Sequence, residues 1–154
     1  MKKEPVKKKE QLKMGKVWAD IEVFNSVDES NANAGKLSQK KVRRININAL
    51  VDTGATMLML PEKDIAALGL SVTRTANSRV ADGRVIVRKI YGPVKIKFQQ
   101  RTMQTEAVAI ANDVPALLGQ IPLEALDVLI DSKNQRLILN PASKNPDMAM
   151  IDLF

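Results

Sequence analysis

An all-β domain with two short helices is the fold this sequence predicts, and three observations predict it. Apolar residues alternate with other residues at a period of two, most clearly at Val17, Ala19, Ile21, Val23 and at Ile45, Ile47, Ala49, Val51. Turn-forming clusters such as Asp82-Gly83 and Ser132-Lys133-Asn134-Gln135 punctuate the apolar runs. Two short stretches read as helices, one opened by Pro61 and the other around Pro122 to Leu126. A chain of 154 residues has room for one domain with a real core.

Taken in order, the first strand spans Val17 to Phe24, and both of its faces are partly covered. Residues 28–40 are polar and turn-rich and predict a mobile loop between two strands. A strand from Arg44 to Val51 comes next. Met57 to Leu60 reads as a short apolar strand, and Gly69 ends the helix after Leu68, with Ile65 and Leu68 facing inward. Paired strands are expected at Val72 to Ala76, Arg84 to Ile90 and Val94 to Phe98, with Asp82-Gly83 turning between the first two. Met103 to Ala111 forms a further strand leading to Leu117-Leu118-Gly119. Val128 to Ile130 and Leu137 to Leu139 complete a terminal hairpin. The patterned region divides the chain into a basic, mobile extension over 1–14, a domain over 15–141 and a looser tail over 142–154.

The composition removes most catalytic chemistries. With no His and no Cys, the chain cannot build Ser-His-Asp or Cys-His nucleophilic sites, nor the usual zinc sites of imidazole and thiolate. Carboxylates and lysine remain; no metal and no cofactor are expected. Of the formal +7 charge, +5 sits in residues 1–16, so the basic balance belongs mainly to a solvated tail. The five aromatic residues are scattered and form no base-stacking motif, so no specific nucleic-acid partner is expected. The stretch after the lysines contains Asp20 and Glu22, which excludes a secretory h-region, and no segment approaches transmembrane length. A cytoplasmic location is the expectation.

The most informative residues are Ala49-Leu50-Val51-Asp52-Thr53-Gly54-Ala55-Thr56, which put one carboxylate on a glycine-supported turn directly after an alternating strand. Asp-Thr-Gly alone is also ordinary turn chemistry. The downstream residues add specificity: Met57-Leu58-Met59-Leu60-Pro61, a central hairpin, and then Val114-Pro115-Ala116-Leu117-Leu118-Gly119. In this order the elements resemble the retropepsin-like aspartic peptidases, single-domain enzymes that include retroviral proteases and small bacterial relatives. The likeness covers about residues 15–140.

The resemblance implies a closed acid-protease barrel with one or two short helices and one lobe per chain. It implies an aspartic endopeptidase in which Asp52 is catalytic, Thr53, Gly54 and Ala55 support the active-site loop, and Leu117, Leu118 and Gly119 floor the site. The central hairpin takes the place of the flap, making Ala81, Asp82 and Gly83 candidates for contact with a polypeptide substrate. Thr56 departs from the acidic or serine residue frequent after Ala in the family, which leaves the loop's hydrogen-bond support open. The chain holds a single Asp-Thr-Gly, and the chemistry needs two facing carboxylates, so a homodimer with the terminal hairpin at its interface is expected. Two other readings compete. In one the fold is a non-catalytic dimeric peptide-binding module, and in the other the basic tail serves an RNA- or membrane-associated adaptor.

Overall fold

The computed structural model describes residues 15–151; the extension expected over 1–14 lies outside the described residues. Nine strands and three α-helices succeed one another along them. The strands are β1 (Trp18–Asn25), β2 (Arg44–Val51), β3 (Leu58–Pro61), β4 (Ser71–Arg79), β5 (Val85–Phe98), β6 (Arg101–Ile110), β7 (Leu117–Leu118), β8 (Val128–Asp131) and β9 (Arg136–Leu139). The helices are α1 (Ser26–Asn33), α2 (Glu62–Leu68) and α3 (Gln120–Leu126).

Seven strands form one sheet in the order β1-β2-β7-β3-β6-β5-β4, and a further pairing of β1 with β5 closes six of them into a ring. The closure rests on β5. Its first half pairs with β4, through Ser71 opposite Gly92 to Arg79 opposite Val85. Its second half pairs with β1, through Glu22 opposite Lys97 to Asn25 opposite Val94. A closed ring leaves few free sheet edges, and β4 projects beyond it as one arm of a hairpin. Among the described residues, β8 and β9 pair only with each other.

Inward residues of the ring form the core: Ile21 and Val23 from β1, Ala49 from β2, Leu58 and Leu60 from β3, Val94 and Ile96 from β5, Ala107 from β6 and Leu118 from β7. Leu68 of α2 and Leu126 of α3 join this core, fully buried. Burying each such side chain stabilises the fold by about 1.5–3 kcal/mol. The alternation seen in β1 and β2 thus places Asp52 at the end of a strand whose inner face is anchored.

Two expectations need correction. Residues 28–40 are not a mobile loop throughout, because α1 occupies their start. Asn25 caps this helix, its Oδ1 accepting from the amides of Val27 and Asp28 at 3.0 and 3.1 Å. Its Nδ2 meanwhile donates to the Leu68 carbonyl, 2.9 Å away. Asp28 then receives Arg43 Nε at 2.8 Å and Nη2 at 3.0 Å, so a partner fifteen residues away fixes the helix. Asn, Ser and Asp compete with the backbone in helix interiors but serve well as caps, and the tertiary partners decide which role prevails. The two strands expected at 84–90 and 94–98 are one, β5; the pairing register with β6 shifts between Tyr91 and Val94, but the strand runs on. Of the tail expected over 142–154, residues 142–151 contain no helix or strand and are tied to the domain, and 152–154 lie outside the described residues. Arg101 Nε donates to the Pro146 carbonyl at 2.7 Å, and the Met150 amide donates to Asp127 Oδ2 at 3.0 Å.

Candidate active site

Val51 ends β2, and the chain turns at once into the loop of Asp52, Thr53, Gly54 and Ala55. The Asp52 amide donates to the Leu118 carbonyl at 3.0 Å, tying the start of the loop to β7. The Asp52 carboxylate is bound from within: its Oδ1 accepts from the Gly54 amide at 2.9 Å. A Cβ at Gly54 would lie 3.1 Å from that same oxygen, tighter than ordinary packing, so glycine suits the position. The Ala55 amide closes the turn on the Asp52 carbonyl at 3.1 Å.

A second support comes from behind the loop. Amides at the start of α3 donate into it, Gln120 to the Ala55 carbonyl at 2.8 Å and Ile121 to the Thr56 carbonyl at 3.0 Å. This requires close approach at Gly119. A Cβ there would stand 2.4 Å from the Met57 carbonyl oxygen and 2.7 Å from that of Ala55, both backbone atoms that cannot swing away. The parallel pairing of Leu50 with Leu117 and Val51 with Leu118 brings the two distant motifs together. Backbone hydrogen bonds therefore support the loop at Thr56, where the residue type had left its support open.

Asp52 is half-buried, while Thr53 and Gly54 are exposed. A groove of about 360 Å³ opens beside Asp52 and Thr53, lined also by Gly15, Lys16, Val17, Leu50, Val51, Ile130 and Ser132. No carboxylate other than that of Asp52 lines it among the described residues. Nor does Thr53 make a side-chain hydrogen bond among them. This groove thus presents one carboxylate per chain, half-buried and hydrogen-bonded to the Gly54 amide.

On the other side of the loop lies a groove of about 390 Å³, between Gly54 to Met57 and the stem of the β4–β5 hairpin. Its remaining lining is Met59, Ala76, Asn77, Ser78, Arg79, Arg88, Ile90 and Val108. The hairpin tip residues Ala81, Asp82 and Gly83 are exposed and do not line it. At the tip, Gly83 has a φ of 86°, and Asp82 accepts from the Arg84 amide at 3.0 Å. Stem residues therefore come nearer the loop than the tip does. The sequence signal that could have found them is the alternation along β5, where Ile86, Arg88 and Ile90 are more buried than Val85, Val87 and Lys89. Leu118 and Gly119 are buried behind the loop and Leu117 is half-buried.

Among the described residues no group of His, Cys, Asp and Glu is arranged to hold a metal ion, and no helix is long and apolar enough to cross a membrane.

No curated protein matches the chain. Among solved structures, the Simian Foamy Virus (mac) protease is 19% identical, covering 69% of this chain and 90% of its own, with a TM-score of 0.44. The EIAV protease complexed with the inhibitor HBY-793 is 25% identical, covering 53% of this chain and 77% of its own, with a TM-score of 0.42. The family model described as "gag-polyprotein putative aspartyl protease" matches residues 38–125, more than half of the chain and a span that holds both the Asp52 loop and Gly119. With that match, the chain belongs to the family described as gag-polyprotein putative aspartyl proteases.

Proposed function

We propose that this chain is an aspartic endopeptidase that works as a homodimer, hydrolysing peptide bonds with a water held between two copies of Asp52. The observation that carries the reading is the Asp52 loop itself: a carboxylate fixed by the Gly54 amide at 2.9 Å, on a turn clamped from behind through Gly119. A two-fold axis passing beside Asp52 brings the same residue from both chains together, the self-complementary contact such symmetry generates.

Two carboxylates about 3 Å apart cannot both ionise, so the pair shares one proton, an effect for which aspartic proteases are the standard example. The ionised member takes a proton from the water as general base, and the water oxygen bonds to the scissile carbonyl carbon. The protonated member donates to the carbonyl oxygen. In collapse of the tetrahedral species the C–N bond breaks, the carboxyl that took the water's proton gives it to the leaving amine, and one hydroxyl of the diol returns its proton to the other, ionised carboxylate, which restores the pair. No covalent enzyme intermediate forms. Thr53, exposed and without a side-chain hydrogen bond among the described residues, braces the two loops across the axis. The β4–β5 hairpin covers an extended substrate that adds to its strands.

The test is cleavage of a diverse peptide mixture, read by mass spectrometry from about pH 4 to 7.5, by the natural chain and by Asp52→Asn. Discrete cuts by the natural chain and none by the variant are expected. Folded dimers that cut nothing would replace this reading with the non-catalytic peptide-binding module.

A further inference from the structure

The groove between the Asp52 loop and the hairpin stem has an unbalanced charge. Arg79 and Arg88 line it, together with apolar and neutral polar residues, and no described carboxylate does. This is not how the other arginines are kept. Of the eight arginines in the sequence, Arg43, Arg44, Arg74, Arg84, Arg101 and Arg136 each face an aspartate or glutamate within 4.0 Å. Among the described residues, Arg79 and Arg88 are the two that do not, and both border the same groove.

Arg88 is the better placed of the two. It shares the inner face of β5 with Ile86 and the buried Ile90, and its cross-strand neighbour is the small Ala76. Its Nε is closed off from solvent and has no hydrogen-bond partner among the described residues. A shielded guanidinium N–H without an acceptor is costly, whereas a carboxylate meeting that fork makes charge-assisted, often bidentate, bonds. Arg79, one position out of phase on β4, borders the mouth and adds to the positive field. Arg74, on the same strand as Arg79, shows the contrast: Glu106 Oε1 stands 3.2 Å from its Nε.

We propose that this groove is a specificity pocket in which Arg88 receives an aspartate or glutamate side chain of the substrate, close to the cleaved bond. The proposal rests on the peptidase reading for the word substrate, but the pocket's preference for a carboxylate does not depend on catalysis. Gly54 and Ala55, the next residues after the catalytic loop's Asp52 and Thr53, form its wall, so the acidic residue lies within a few positions of the scissile bond.

The experiment uses degenerate peptide pools in which one position is fixed as Glu, Gln or Lys, scored for cleavage by mass spectrometry and for binding by fluorescence anisotropy. At one fixed position the natural chain should favour Glu over Gln by about ten- to a hundredfold, the range expected of a hydrogen-bonded ion pair. Arg88→Glu should reverse the order of Glu and Lys, and Arg88→Lys should keep part of the Glu preference. Raising the salt concentration should shrink the ratio. Cleavage with equal use of Glu and Gln at every position would overturn the pocket and leave the peptidase standing. Tighter binding of Glu pools without any cleavage would keep the pocket and remove the peptidase. An Arg88→Glu chain that is folded and retains the natural ranking would also overturn the proposal, and the Glu to Gln ratio of the natural chain judges it even if that variant fails to fold.

Discussion

Asp127 gathers more partners than any other carboxylate described, and none of them was visible in its sequence context. It accepts from Ser143 Oγ, from Asn140 Nδ2 at 2.9 Å and from the Met150 amide at 3.0 Å, and Arg101 lies 3.7 Å away. These hydrogen bonds, Ser143 foremost, hold its carboxyl at a pKa of about 2, below the usual 3.8. A carboxylate whose pKa is lowered by folding adds stability that is complete above its unfolded pKa and fades as pH falls towards its folded one. Asp127→Asn should therefore cost about 2 kcal/mol at neutral pH, and the gap between variant and natural chain should narrow from about pH 4 downward, read by urea unfolding. Asn suits the test because Asp127 sits at a φ of 53°, which Asn tolerates. Gly119 makes a second prediction at this scale. Alanine would drive its Cβ to 2.4 Å from the Met57 carbonyl oxygen, so Gly119→Ala should destabilise by about 1–3 kcal/mol and displace the Asp52 loop. Thermal unfolding and the peptide assay together check it. The need for glycine was legible in the Leu-Leu-Gly motif, but the atoms that impose it, the backbone of residues 55 and 57, were not.

Among the elements, α1 is the one whose existence depends most on tertiary partners. Asn25 serves both ends of that dependence, capping the helix through Oδ1 and reaching the Leu68 carbonyl through Nδ2. Asn25→Ala should lose the cap and leave a buried carbonyl unsatisfied, at a cost of about 2–4 kcal/mol in denaturant unfolding. Breaking the Asp28 to Arg43 bond with Arg43→Ala should loosen the same helix, seen as faster amide exchange over residues 27–34 with the Asp52 loop unchanged. The sequence predicts two strands where β5 is one because Tyr91-Gly92-Pro93 interrupts its alternation. In the fold that interruption marks the change of partner from β4 to β1, so the local signal was real and its meaning was set by the sheet. The alternating strands β1, β2 and β6 were readable because each has one face in the core, which is what a period of two records.

At the scale of the whole molecule, a single Asp-Thr-Gly per chain makes activity a property of assembly under the proposed mechanism. Specific activity should fall on dilution with the same midpoint as the loss of dimer mass in sedimentation, and a fully active monomer would refute the shared dyad. What the sequence determined by itself is the chemistry that is available: no His, no Cys, one carboxylate in a glycine-supported loop, and a Leu-Leu-Gly element beyond it. These are local properties, set by residue type and spacing over a few positions. Only the tertiary structure decided what is joined across distance. It paired Val51 with Leu118, closed the ring through β1 and β5, anchored the tail on Asp127 and brought Arg88 of the hairpin to a groove beside Gly54. The physical reason is that hydrogen bonding and side-chain burial reward contacts between residues far apart in the chain, and a pattern of period two tells which face turns inward without naming the partner it will meet.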